Sequence, residues 1–415
     1  MILLGIWLRC PDGKTERVGD IAFTDPDQSG RYQAEFRYSQ AWLRNAQAFA
    51  LDPIHLPLAD TAYGSQNLNP PLGVIEDALP DDWGRRLLIR FHKLAPRTRS
   101  EGHLLAALGA DGMGALVFGN SNAGPPAPRQ GVESLHLREL MNAAVALDSG
   151  ESPLAADLQR VLAAGSSPGG SRPKALVHDS FGHWLAKFPS PNRDGRFDVV
   201  GLEATCMDLA RSAGIPVPET KIVHVGRRKV LLVKRFDIAS ENKRKTEVQP
   251  GRYHCISLKT LCGERTGVYV QTYREVALTL RRATRDLDDI DRFFAQMVFN
   301  AAIGNTDDHL KNFWMLRRSD GYVLSPAFDL VPDVAERSEH ALAFQYDYRS
   351  PDRITLYAIA QEWGVRTPDR MIEAIVKSMA NFSTIAKTNK VPLANIREIG
   401  GDIAGRVARM LKRGS

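Results

Sequence analysis

The chain is expected to fold as an α+β protein with a small β-rich unit, a large helical unit and an additional α/β subdomain at its N-terminus. Three observations predict this. Strand-like runs crowd into the first 235 residues, whereas from about residue 268 onward the apolar spacing is almost wholly helical. The stretch Asn120-Ser121-Asn122-Ala123-Gly124-Pro125-Pro126-Ala127-Pro128-Arg129 has no apolar periodicity and separates two regions that do. A polar run, residues 304–312, lies between an apolar helical segment and a short apolar strand.

Residues 1–120 read as the N-terminal subdomain. Strands are expected at 2–8, 17–23 and 32–36, and residues 42–48 have helical character. In Leu79-Pro80-Asp81-Asp82-Trp83-Gly84-Arg85-Arg86-Leu87-Leu88, Asp81 is placed to cap a helix whose Leu87 and Leu88 face inward. Residues 121–133 form the linker. Helices follow at 134–147 and 153–164, then a glycine-rich loop, then strands at 175–178 and 183–188. Val200, Ala204, Met207 and Ala210 mark one face of an amphipathic helix over 199–213, stopped by Pro216 and Pro218. Strands at 220–225 and 230–235 complete a unit spanning 134–237, and residues 238–415 form the helical unit.

A length of 415 residues allows two or three domains, each with its own core. Hydrophobic and charged contents of 43% and 25% are those of a soluble globular chain, and no run of eighteen apolar residues is present, so no membrane span is expected. The apolar start, Met1 to Leu8, lacks a basic leader and a small-residue cleavage site and reads as a first strand. Four cysteines without a Cys-x-x-Cys pair argue against a zinc knuckle and for a reducing compartment, with the cytoplasm as default. A net charge of +6 permits acidic partners without demonstrating them. The densest basic run, Asn242-Lys243-Arg244-Lys245, is flanked by Glu241 and Glu247 and reads as a solvated loop.

The chemistry concentrates in Gly304-Asn305-Thr306-Asp307-Asp308-His309-Leu310-Lys311-Asn312-Phe313. Asp307 and Asn312 stand five positions apart, with His309 between them, in a run too polar to be buried without partners. Phosphotransferase loops use such a pair: the Asp orients or deprotonates the attacking hydroxyl, and the Asn amide oxygen holds magnesium on the nucleotide phosphates. Seventeen residues further on, Asp329 in Ser325-Pro326-Ala327-Phe328-Asp329 suits a second metal-binding carboxylate. The same residue types also populate ordinary turns. Core elements on both sides, 293–303 and 313–316, argue instead for a rigidly held loop.

A nucleotide partner is suggested upstream. Gly165-Ser166-Ser167-Pro168-Gly169-Gly170-Ser171-Arg172-Pro173-Lys174 is a small-residue loop that lets backbone N–H groups approach phosphate oxygens, although a flexible linker has the same composition. Lys187 interrupts the apolar strand Trp184-Leu185-Ala186-Lys187-Phe188, where it can neutralise phosphate charge or, as an edge lysine, reach solvent. Glu203 in the next helix is its candidate ion-pair partner. The strand Val230-Leu231-Leu232-Val233-Lys234-Arg235-Phe236-Asp237 would lead to an interlobe hinge, with Phe236 placed to pack on adenine. Strands before helices is the order of a two-lobed, protein-kinase-like fold.

With these elements in order, the chain resembles the HipA family of bacterial serine/threonine kinases, the toxin halves of type II toxin–antitoxin pairs. The likeness rests on Ser167 to Lys174, Leu232 to Asp237, Asn305 to Asn312, Pro326 to Asp329 and Leu79 to Leu88, and covers nearly the whole length. It implies that Asp307 is the catalytic base and that Asn312 and Asp329 bind Mg²⁺. It implies an ATP site at Lys187, at Gly169, Gly170 and Lys174 of the phosphate loop, at His309 and Lys311, and at main-chain groups of Lys234, Arg235 and Phe236. It further implies autophosphorylation of a phosphate-loop serine, Ser167 or its neighbour Ser166, which would place negative charge where ATP phosphates lie. Implied partners are a protein substrate such as an aminoacyl-tRNA synthetase, and a small helix-turn-helix antitoxin with DNA behind it. Lys234 departs from members that carry glutamate in the hinge strand.

Two other readings exist. An aminoglycoside-kinase-like phosphotransferase shares Asp-x-His-x-x-Asn, but the large N-terminal subdomain and serine-bearing loop argue against it. A catalytically dead co-repressor has no physical need to keep Asp307, Asn312, Asp329 and Lys187 together.

Overall fold

A computed structural model of the chain describes residues 1–128, 132–151, 153, 155–164, 172–239, 250–265, 269–335 and 337–412. The N-terminal sheet has five antiparallel strands in the order β4-β3-β2-β1-β5: β1 (Ile2–Arg9), β2 (Thr15–Phe23), β3 (Gln33–Tyr38), β4 (Ala62–Gln66) and β5 (Leu116–Asn120). Its short helices are α1 (Gln40–Leu43), α2 (Gly73–Glu76), α3 (Asp82–Phe91) and α4 (Glu101–Leu108). Alternation fixes which face of β3 is buried: Ala34, Phe36 and Tyr38 turn inward while Gln33, Glu35 and Arg37 meet solvent. α1 is shorter than the expected helix over 42–48. Ser39 caps it by accepting from the Trp42 N–H, but Asn45 then accepts from the Gln47 N–H, a local turn that competes with further helix.

The second sheet runs β6-β7-β8-β10-β9, built from β6 (Val132–Glu133), β7 (Lys174–Asp179), β8 (Gly182–Lys187), β9 (Thr220–Val225) and β10 (Arg228–Lys234). Only the β6–β7 pairing is parallel among these strands. The segment expected as linker therefore ends as a strand, with Val132 buried against the sheet. Helices α5 (Leu137–Asp148) and α6 (Ala155–Ala164) close one side of this unit, and α7 (Val199–Ser212) follows β8. α7 is not a half-exposed amphipathic helix: Val199 through Met207 are all buried, because β10 lies on one side and two C-terminal helices on the other.

The remainder is a small sheet, β11-β12-β13, inside a helical body. β11 (Cys255–Ser257), β12 (Trp314–Arg318) and β13 (Gly321–Leu324) are joined by α8 (Leu258–Leu261), α9 (Tyr273–Ala283) and α10 (Asp288–Ile303). α11 (Arg353–Trp363), α12 (Pro368–Met379), α13 (Phe382–Thr388) and α14 (Leu393–Leu411) complete it. α10 is the central rod, with Phe293, Phe294, Met297, Phe299 and Ile303 fully buried. The N-terminal sheet does not keep a separate core. Leu72, Ile75 and Leu79 belong to the same continuous apolar cluster as Leu258, Leu261 and Phe313, while the second sheet has a cluster of its own that takes in Trp83 and Leu87 of α3. Among the described residues, no helix is long and apolar enough to cross a membrane.

Candidate active site

α10 ends at Gly304, whose φ of 70° is the left-handed conformation that turns the chain out of the helix. A side chain there would collide with the Arg406 guanidinium. The loop that follows carries two adjacent aspartates with opposite fates. Asp308 is fully buried: it accepts from the Tyr273 hydroxyl, lies 3.0 Å from His340 Nδ1 and takes the Ala341 N–H at 2.7 Å. Asp307 faces outward with its side chain 65% exposed, 3.5 Å from Arg337 and 3.9 Å from His309 Nε2. Asp308 anchors the loop, and Asp307 is presented by it. Asn312 steadies the same turn from below by donating its Nδ2 to the Asp307 carbonyl at 2.8 Å, which leaves its Oδ1 as an acceptor.

Across from this loop, Lys187 at the end of β8 donates to Glu203 of α7 at 2.5 Å and to Asp329 at 2.7 Å. One ammonium thus joins a strand, a helix and the turn after β13. Asp329 has a φ of 57°, a conformation that is uncommon outside glycine. Asn305 holds that turn by donating to the Asp329 carbonyl at 3.3 Å and to Asn300 Oδ1 at 3.2 Å. Burial disfavours charge on all three partners, but the mutual attraction wins at two of them. Lys187 is raised above the ordinary lysine value by Asp329 and Glu203, and Asp329 is held far below the usual carboxylate range by Lys187 and Lys174. Lys174, opposite Lys187 in the β7–β8 register, is 4% exposed and is pushed down to about 8, chiefly by burial.

These groups surround a cavity of about 360 Å³. Its walls include Lys174, Lys187, Glu203, Asp307 and Asp329 from the expected set, and also Arg337. His309, Lys311 and Asn312 lie on the same loop without lining this cavity. Lys311 reaches away to Asp81 at 3.5 Å. The Asp81 carboxylate makes no capping bond to α3, although the residue occupies the N-cap position.

The expected adenine strand is engaged elsewhere. The Lys234 N–H donates to the Glu219 carbonyl and its ammonium to the Glu219 side chain; the Arg235 N–H donates to the His183 carbonyl. Arg235 itself is buried in a pair with Asp237, and Phe236 packs on Phe328 at 5.5 Å. None of Lys234, Arg235 and Phe236 lines the cavity. Ser166, Ser167, Gly169 and Gly170 lie outside the described residues.

Among the described residues, no three His, Cys, Asp or Glu side chains converge as a metal-holding set. The oxygen donors on hand are the Asp329 carboxylate and the Asn312 amide oxygen. Such a pair fits a small hard dication whose other oxygens come from phosphates and water.

Residues 166–385 match the model of the HipA-like C-terminal domain, and residues 14–119 that of the HipA N-terminal domain. The chain belongs to the HipA family. A Sinorhizobium fredii protein named "Putative kinase Y4mE" is 23% identical over 89% of this HipA-family chain and 92% of its own length. A second protein of that organism, "Putative kinase Y4dM", is 29% identical over 37% of this chain and 38% of its own length. The HipA chain of a Shewanella oneidensis MR-1 toxin–antitoxin complex with HipB and operator DNA superposes with a TM-score of 0.70. That match has 20% identity and covers 98% of this chain and 97% of the other, so the two share a fold.

Proposed function

We propose that this HipA-family chain is an ATP- and Mg²⁺-dependent protein serine/threonine kinase with a two-lobed catalytic core. The observation that carries the reading is the Lys187 ammonium bonded to both Glu203 and Asp329, facing the outward Asp307 across one cavity. Phosphoryl transfer requires cationic groups for the nucleotide phosphates and a carboxylate at the attacking hydroxyl, with little covalent work left to the protein. Lys187 and Lys174 supply the positive charge. Asp307 is exposed enough to meet a protein hydroxyl and orients it or takes its proton. Asn312 and Asp329 are the residues that would hold Mg²⁺, which supplies charge neutralisation on the phosphates when bound. Asn305 and Asp308 keep the two loops in place.

The Shewanella toxin–antitoxin assembly supports a small DNA-binding antitoxin as partner, with DNA reached through it. A growth-inhibiting role through a translation component is what the family resemblance suggests for the protein substrate. Phosphorylation of Ser167 or Ser166 would regulate the activity. Labelled ATP incubated with the protein and a bacterial lysate tests the proposal: label enters protein on serine or threonine, and Asp307→Asn lowers transfer by ~10²-fold or more with nucleotide affinity within about twofold. Label confined to small molecules, or an Asp307→Asn variant with parental turnover, overturns it.

A further inference from the structure

The short segment from Asp77 to Trp83 belongs to the N-terminal region, yet its polar groups reach three separate parts of the cleft. Asp77 is buried and accepts from the Ser257 N–H at 2.8 Å and the Ser257 hydroxyl at 2.7 Å, fixing β11 beneath the catalytic loop. Asp81 accepts from Lys311, inside the loop between Asp307 and Asn312. Trp83 donates its indole N–H to the Lys174 carbonyl at 3.0 Å, where β7 begins. Its ring is 2% exposed and lies in the apolar cluster of the second sheet together with Trp184, Ala186 and Phe188.

A helix with residues in both cores and, at its N-cap, a carboxylate on the catalytic loop is more than packing. Leu79 just before α3 and Leu88 within it join the cluster shared with the helical body, whereas Trp83 and Leu87 of α3 join the cluster of the second sheet. The start of α3 thus spans the two sides that must stay in register for a nucleotide to touch both. Capping logic would have Asp81 bond its own helix, and it does not.

We propose that Asp81 and Trp83 are positioning residues of the nucleotide cleft, setting Lys174 on one wall and Lys311 in the loop on the other. The consequence for nucleotide binding rests on the kinase reading; the geometry does not. Lys174 has its backbone pinned by Trp83 and its side chain on the cavity wall, so loss of the indole N–H loosens the group that meets phosphate oxygens.

The test uses the full chain with Trp83→Phe, the near-isosteric Asp81→Asn, and Asp81→Glu as the conservative control. Two readouts are taken well below the melting temperature of every variant: acetylation rates of individual lysines by mass spectrometry, and Mg·ATP affinity alongside turnover. One lost hydrogen bond corresponds to roughly fivefold. Trp83→Phe is expected to speed acetylation of Lys174 about fivefold and to weaken nucleotide affinity to a similar degree, with turnover at saturation within about twofold. Asp81→Asn does the same at Lys311, and Asp81→Glu recovers most of the affinity. The proposal is overturned if neither lysine changes, if all lysines accelerate together as the fold loosens, or if nucleotide affinity stays parental while the lysines respond. A parent that binds no nucleotide, with Lys174 and Lys311 still responding selectively, would sink the kinase reading and leave the positioning role standing.

Discussion

Replacing Lys174 with methionine should make the nucleotide-free protein more stable and a poorer nucleotide binder. The ammonium is buried, and burial outweighs the attraction of Asp329, Asp81 and Glu203, so its pKa falls from 10.5 to about 8. The sign follows from linkage. At pH 7 the lysine is charged in both the folded and unfolded chain, and the folded state carries the cost; between pH 8 and 10.5 the folded side chain gives up its proton first and the cost is relieved. The depression corresponds to about 3 kcal/mol at neutral pH. Methionine fills a similar volume without a charge. For a chain of this length unfolding as one unit, the gain amounts to a rise of about 4 °C in melting temperature. Thermal melts of parent and Lys174→Met at pH 7 and pH 10 measure it: the variant melts higher at pH 7, and the difference shrinks by pH 10. Nucleotide affinity falls by roughly 10- to 100-fold, the worth of a charged hydrogen bond to phosphate. A variant that melts at or below the parent at pH 7, or a difference that ignores pH, refutes the reasoning.

Three further outcomes are expected. Asp329→Ala should raise the magnesium concentration needed for half-maximal nucleotide binding at least about tenfold, since it removes the carboxylate from the donor set; a magnesium titration identical to the parent's rejects that role. Asp308→Ala should cost about 3 kcal/mol, because the Ala341 N–H and the Tyr273 hydroxyl lose their buried acceptor, whereas Asp307→Asn should leave the melting temperature nearly unchanged. Equal melting shifts for these two neighbours would contradict the anchor and presentation roles. Incubation with Mg·ATP should place phosphate on Ser167 or Ser166, and a peptide map of an active preparation with no phosphate between residues 161 and 175 would remove the regulatory step.

Much of the element order was legible because the apolar spacing of β7, β8, β10 and α10 has one clear period each. The loop at 304–312 stood out for a related reason: polar residues between two core elements need partners. What local pattern could not tell was which of Asp307 and Asp308 turns inward. The deciding groups, Tyr273 and His340, lie 35 and 32 residues away along the chain. Asp81 illustrates the same limit, since a helix-capping residue by local logic is taken by Lys311, 230 residues distant. β6 is too short to show a period, and the burial of α7 on opposite sides depends on helices that arrive late in the sequence. The strand expected to meet adenine is a different case: its place in the sheet engages the Lys234 and Arg235 amides, which no side-chain pattern reports.

The seam between the 110–114 turn and the segment after β10 that carries Asp237 and Arg252 has a consequence for synthesis on the ribosome. Arg252 donates to the Ala110 and Gly112 carbonyls, 142 and 140 residues earlier in the chain, and the Gly114 N–H donates to Asp237, 123 residues later. The five-stranded N-terminal sheet can close once β5 has emerged, but this rim then waits for its arginines and carboxylate. At translation rates of about 5–20 residues per second, the wait is roughly 7 to 30 seconds. Nascent chains arrested at a length at which residue 120 has just cleared the exit tunnel should therefore be cut by protease near residues 110–114, and chains long enough to expose Arg252 outside the tunnel should resist.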